Sequence, residues 1–421
     1  LNLHRFFLKT STTKAMELAR VTAIDILTKK YVDAGRTPNT ALIAAFVDHS
    51  LKNSTAAFTW EGVGDDEQAF LDEVDITDAD LTRLNDEQAV FQDELSKTLK
   101  KLAAKGSKEL FKSLKGDWPA IHADDLAMAG GFEERLETRW GEAFNHIRML
   151  RYVSLQEGGE RAKRLGRSRA KNPKVRPHLL LRLHARAVQI VGEILALMEA
   201  GYADGAMARW RTLHEVTVVA LLINDADEDL AIRFVDHEAV GRLQAANLHQ
   251  RSCAARNQVP IPEEEMAALE ADQAAVVRKY GPEFKKEYGW AATYVGNPDP
   301  KFDKLETAAG RATMRQEYKL ASYNIHAGSR GLFFKIGMLD GSGLMAGASN
   351  AGFDEPGLAT LDALVSINFA LFPKPISLDD LVMLGALDAI RMAGRTAFTR
   401  TAAKLRAEHR RTQRGRSGRV R

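Results

Sequence analysis

The sequence predicts an all-α protein: a multi-helix bundle with a flexible basic loop inside it and a Gly-rich loop near its C-terminal part. Three observations lead there. Apolar residues recur at three- and four-residue spacing through most of the 421 residues, which stacks them on one face of a helix. Period-two alternation bounded by turn residues, the mark of half-buried strands, is almost absent. At 45% apolar and 27% charged residues, the chain has the balance of one that folds into globular domains.

In chain order, Thr13 to Asp33, Pro38 to Leu51 and Asp78 to Lys105 are expected to be helices of an N-terminal region, 1–128. Gly106, Gly116 and the turn "DWPA" then break the pattern. A helical core is expected over 129–375. It opens with a helix from Phe132 to about Gln156 that aligns Phe132, Leu136, Trp140, Phe144 and Ile147, and stops at Gly158 and Gly159. The stretch 158–177 holds Gly166, Pro173 and Pro177 and no apolar stripe, so it reads as a basic linker. A helix resumes at His178, with Leu183, Ala187, Ile190, Ile194 and Leu197 on one face and Gly201 as its stop. The next begins near Asp204, read as a cap, and another covers "DEDLAIRFVDHEAVGRLQAANLHQRS". Short connections make these neighbours antiparallel. Two long helices, Pro262 to Tyr288 and Arg311 to Lys335, follow. The stretch 337–357 holds six glycines. With no strand before it and no GK[ST] after it, it reads as a long ordered loop rather than a phosphate loop. Helices over Leu358 to Phe372 and 376–407 precede a basic tail, 408–421, with almost nothing to bury and therefore expected to be disordered.

Net charge is only +3, but the charges come in blocks. The acidic stretch 61–94 carries thirteen Asp and Glu against Arg83 alone. Residues 161–176 carry eight Lys and Arg and no acid, and the end from Arg400 carries nine against Glu408. Basic blocks of this kind hold phosphate backbones, and an acidic block can occupy them in competition. The alternative is that all are solvated faces. If nucleic acid is a partner, Arg161, Lys163, Arg164, Arg167, Arg169, Arg410 and Arg411 are the residues expected to hold it. The longest apolar run, "VTVVALLI", falls far short of the roughly 20 residues of a membrane span. No signal peptide or membrane contact is expected. A single cysteine, Cys253, allows no internal disulfide, and the expected compartment is the cytoplasm.

Two groups of polar residues have spacings that suit chemistry. In "RWRTLHE", Arg211 and Glu215 share a helix face and His214 lies about 60° from Arg211. An arginine that stabilises a phosphorane beside a histidine that moves a proton would cut RNA without a metal. The same spacing also serves a plain i,i+4 ion pair, with Glu193 of the preceding helix joining it. In "EYKLASYNIHAGSRGLFFK", Ser322 and His326 share a face just before Gly328. His326 is placed either for a pocket beside the Gly-rich loop or as a C-terminal capping cation. Arg233 and His237, four apart, form a further cationic pair, with His237 read as a surface residue. No H-E-x-x-H or converging Glu/His set is present; no metal and no cofactor is expected. A G-x-S-x-G turn is also missing.

The blocks "RLHARAVQIVGEILALMEAGYADGAMARWRTLHEV", "RFVDHEAV", "YGWA", "ASYNIHAGSRGLFF" and "GASNAGFDEP" resemble an uncharacterised bacterial family, domain of unknown function family 5677. The likeness begins near "FEERLETRWGEAF" and runs to about residue 370. It implies a helical protein with no settled activity. It also invites an analogy with the HEPN-like proteins of bacterial defence and toxin systems, whose Arg-x(4–6)-His pattern is similar to the spelling of Arg209 to His214. Two functions follow as expectations. One is a metal-independent endoribonuclease of defence or growth arrest, using Arg211 with His214 or His326, Glu215 orienting the arginine and Ser322 nearby. The other is a non-catalytic interaction or nucleic-acid-sensing subunit that docks a partner protein. A homodimer is expected because HEPN-type sites assemble from two chains.

Overall fold

The computed structural model describes residues 17, 20–52, 58–60, 64–74, 77–167, 174–340, 344–372 and 375–417. Among the described residues there are helices and no strands, as the periodicity required. None of these helices is long and apolar enough to cross a membrane. The chain divides into two compact units, Leu1–Ala123 and Asp124–Arg421.

In the first unit, α1 (20–33), α2 (Thr40–Lys52) and α3 (Asp65–Glu73) close over a small core of Leu27, Tyr31, Leu42, Ile43, Val47 and Leu71. Asp80 caps the start of α4 (Asp78–Gly166) by accepting from Thr77, and pairs with Lys30 at 2.7 Å. The break expected at Gly106, Gly116 and "DWPA" is absent. α4 runs through both glycines and Pro119 as one helix, because the Lys, Leu and Glu between them are strong helix formers. Residues 101–129 are exposed on every face.

In the second unit the remainder of α4 packs with α5 (Val175–Glu199), α6 (Ala203–Asp225), α14 (Asp354–Leu371) and α15 (Leu378–Ser417). The contacts of α5 with α6 and of α14 with α6 and α15 are the most extensive. The predicted stripes are the buried faces: Leu136, Trp140, Phe144 and Ile147 on α4, and Leu183, Ala187, Ile190 and Ile194 on α5. Trp140 and Phe144 each meet Phe353 in a T-shaped arrangement, at 5.3 and 5.7 Å. The favourable quadrupole geometry of such pairs adds to their burial. Gly201, at φ +90°, ends α5 as expected.

The glycines 158 and 159 do not end α4. Gly158 faces the ring of His184 so closely that a Cβ would lie 2.9 Å from it, so the glycine makes room for a buried histidine within a continuing helix. That histidine heads a polar chain across three helices: His184 Nε2 meets Asn368 Oδ1 at 3.2 Å, and Asn368 Nδ2 donates to Ser154 Oγ at 2.7 Å. The expected basic linker is therefore shorter than 158–177. Residues up to Gly166 are helical, α5 starts at Val175, and 168–173 lie outside the described residues. Likewise the basic tail is helical from 408 to Ser417, and 418–421 lie outside the described residues.

Further along, the single helix expected from Asp227 breaks at His237 into α7 (Glu228–Asp236) and α8 (Glu238–Ser252). α9 (Glu263–Tyr280) stops at Gly281, φ +98°. After it come the short α10 (Ala292–Val295) and α11 (Phe302–Ala308), then α12 (Arg315–Tyr323) and α13 (Ser329–Phe333) in place of one helix to Lys335. The Gly-rich loop is tied to the start of α6. Asp204, read from sequence as a cap, instead accepts from Ile336 N and Gly337 N at 3.1 and 3.2 Å. Residues 341–343 of that loop lie outside the described residues.

Candidate functional site

The i,i+4 spacing of Arg211 and Glu215 on α6 brings their side chains together at 3.0 Å. α12 adds Tyr318 and Ser322, also one turn apart. Arg211 donates from Nε to Ser322 Oγ at 3.2 Å and from Nη2 to the Tyr318 hydroxyl, which in turn donates to Glu215 Oε1 at 2.6 Å. The guanidinium lies 4.5 Å from the Tyr318 ring centroid, a cation–π contact that fixes its plane. Burial, and then the acceptor Glu215, push the Tyr318 hydroxyl far above its ordinary pKa. It therefore stays a donor at neutral pH. Three of the five residues singled out from sequence thus meet in one network across two helices.

The other two make no hydrogen bond to it among the described residues, although the His214 ring lies 5.7 Å from that of Tyr318. His214 is buried between Trp210, stacked at 5.1 Å, and Phe302, near-perpendicular at 5.9 Å. Its Nε2 meets Oε1 of fully buried Glu306 at 2.9 Å, and Arg315 donates to the other oxygen of that carboxylate at 2.7 Å. Burial holds His214 below its ordinary pKa despite the carboxylate, which pulls the other way. Its Nε2 is thus engaged inside the core of the second unit. His326 is exposed beyond the end of α12, and no hydrogen bond or ion pair joins its ring to Arg211 among the described residues. His237, read as a surface residue, is half-buried against Phe284, its Nε2 on the Lys286 carbonyl at 2.9 Å. Arg233 is engaged with Asp229 at 2.8 Å.

The basic blocks separate in a way the sequence did not announce. Arg161 is buried, 2.8 Å from Asp380 of α15 and 4.2 Å from the Phe372 ring centroid. Its expected role in holding phosphates is corrected to one in the core. Lys163 pairs with Glu160 at 2.7 Å, Arg164 and Arg167 are exposed, and Arg169 lies outside the described residues.

Farther along, α15 runs antiparallel to α4, pairing Arg400 with Glu142 and Arg139 with Glu408. The two helices flank a groove of 720 Å³ that Arg135 and Lys404 also line. Arg135, Lys404, Arg410, Arg411 and Arg414 are exposed and have no carboxylate partner among the described residues. At 100° per residue, the four on α15 fall within about 120° of the helix circumference. They form one positive stripe beside the groove.

Some of what builds these sites was invisible in the motifs. Tyr318 was legible only as the residue one turn before Ser322. Nothing marked Glu306, whose importance comes from a partner 92 positions away. Among the described residues, no group of three His, Cys, Asp or Glu side chains could hold a metal. No curated protein and no solved structure matches the chain. Residues 178–343, a narrower span than the resemblance read from the sequence, match the model described as Family of unknown function (DUF5677), and over that span the resemblance holds.

Proposed function

We propose that this chain is a non-catalytic nucleic-acid-binding protein that holds a phosphodiester backbone along α15 and the adjoining part of α4. The observation that carries this reading is the stripe of Lys404, Arg410, Arg411 and Arg414 beside Arg135, all exposed and unpaired where neighbouring arginines are neutralised by carboxylates. Unpaired cations along a helix repel one another. A polyanion relieves that repulsion and releases its counterions on binding. Arg211 supports this non-catalytic reading too. Its donors are taken up by Ser322, Tyr318 and Glu215, which suits a network joining α6 to α12 better than a group waiting for a transition state.

The test is fluorescence anisotropy with labelled single-stranded RNA in EDTA, comparing the chain with a Lys404→Gln/Arg410→Gln/Arg411→Gln/Arg414→Gln variant. The expected result is binding by the first, weaker by at least about tenfold in the second, with the RNA intact in both. The ribonuclease alternative gives a different result in the same tubes: fragments ending in a cyclic phosphate, abolished by Arg211→Ala or His326→Ala.

A further inference from the structure

Between α5, α6, α7 and α11 lies a cleft of 480 Å³, well inside the range of small-molecule sites. Its floor, the apolar part of the lining, includes Leu183, Val219, Phe234 and Phe302, and Thr212 and Tyr288 add hydroxyls to the lining. At its rim stand Arg182 and Arg186, one turn apart on α5 and exposed. Neither has a carboxylate partner among the described residues. The acidic side chain in the lining, Glu215, is already neutralised by Arg211 at 3.0 Å and accepts the Tyr318 hydroxyl. The cleft therefore offers two uncompensated positive charges over a greasy floor.

We propose that this cleft binds a medium-chain aliphatic carboxylate, with its hydrocarbon body on the Leu183, Val219, Phe234 and Phe302 floor and its head group between Arg182 and Arg186. The charge placement argues for the head. Two guanidiniums one turn apart raise each other's energy unless an anion sits between them, and a planar carboxylate matches the guanidinium fork. The floor argues for the body. Apart from the arginines, only the Thr212 and Tyr288 hydroxyls in the lining could donate to a phosphodiester or a sugar, and an apolar chain removes the rest from water. This site is separate from the stripe on α15 and does not depend on it.

Isothermal titration of the full chain with hexanoate, octanoate, octanol and octyltrimethylammonium tests the proposal. One octanoate per chain is expected, bound roughly tenfold more tightly than hexanoate for its two extra methylenes. Octanol should bind more weakly, and the cationic amphiphile should not compete. Arg182→Gln/Arg186→Gln, two exposed positions whose change leaves the core intact, should weaken octanoate by about tenfold. The proposal is overturned if octanoate shows no saturable binding, or if the double variant or octanol binds as the unaltered pair does. Loss of RNA affinity in the double variant with no octanoate binding would assign the two arginines to the phosphate-binding surface instead.

Discussion

Replacing Arg315 by methionine should unbalance the most deeply buried carboxylate of the second unit. Glu306 is fully buried, and its oxygens meet His214 Nε2 at 2.9 Å and Arg315 Nη1 at 2.7 Å. Because burial depresses the pKa of His214, the imidazole is neutral at pH 7 and contributes a hydrogen bond but no charge. Of its two hydrogen-bond partners, only Arg315 then carries a charge. Removing one partner of a buried pair costs about 3 to 5 kcal/mol, because the other charge is left unpaired. The side chain of Arg315 is 37% exposed, so water screens part of its attraction and the lower end, about 3 kcal/mol, is expected. The assay is urea unfolding of the full chain at pH 7.5, followed by tryptophan fluorescence. Glu306→Gln in the same background removes the stranded charge and should recover about 2 kcal/mol. A loss below about 1 kcal/mol for Arg315→Met, or no recovery in the double variant, would refute the view that Arg315 is the main counter-charge.

Adjacent glycines should respond with opposite signs. Gly158→Ala pushes a methyl against the His184 ring, 2.9 Å away, and should cost about 1 to 3 kcal/mol. Gly159→Ala meets nothing within 4 Å in the same helix and should stabilise by about 0.4 to 1 kcal/mol; thermal unfolding of both variants checks this. Acid should destabilise the second unit. His184, His214 and His237 are all held below their ordinary 6.5, in each case first by burial. The unfolded chain therefore binds more protons as pH falls through about 6.5. The stability tied to these neutral rings is complete above that pH and lost below it, by up to about 1.4 kcal/mol per pH unit for each ring. A urea midpoint that stays flat from pH 7.5 to 5 would contradict this. Arg161→Ala should lower stability by about 3 kcal/mol by stranding Asp380 while leaving RNA affinity unchanged. An unaltered urea midpoint with weakened RNA binding would return Arg161 to the phosphate surface.

Helix class and core faces were legible because they depend on periodicity, which Trp140, Phe144, Ile190 and Ile194 display locally. Helix ends were less so. Gly158 and Gly159 carry the same letter as a terminator, and only the ring of His184, contributed by another helix, reveals that Gly158 is there for space. Gly106, Gly116 and Pro119 failed as breakers because the helix formers around them outweigh their local cost. At the candidate sites, pairs within one helix could be read, Arg211 with Glu215 above all. Pairings between helices could not: the spacing places His214 beside Arg211 and says nothing of Glu306, which holds it, and it puts Arg161 in a basic block and says nothing of Asp380 and Phe372, which enclose it.

The salt dependence of RNA binding tests the central proposal most directly, because each phosphate neutralised adds a fixed increment to the slope. The four cations of the α15 stripe should contribute roughly −0.7 each on a single strand. The slope of log affinity against log salt should therefore flatten by about 2 to 3 when Lys404, Arg410, Arg411 and Arg414 are replaced together by glutamine. It should be untouched by Arg164→Gln/Arg167→Gln, on exposed cations near the end of α4. An identical slope for the intact chain and the stripe variant would contradict the assignment of α15 as the nucleic-acid surface.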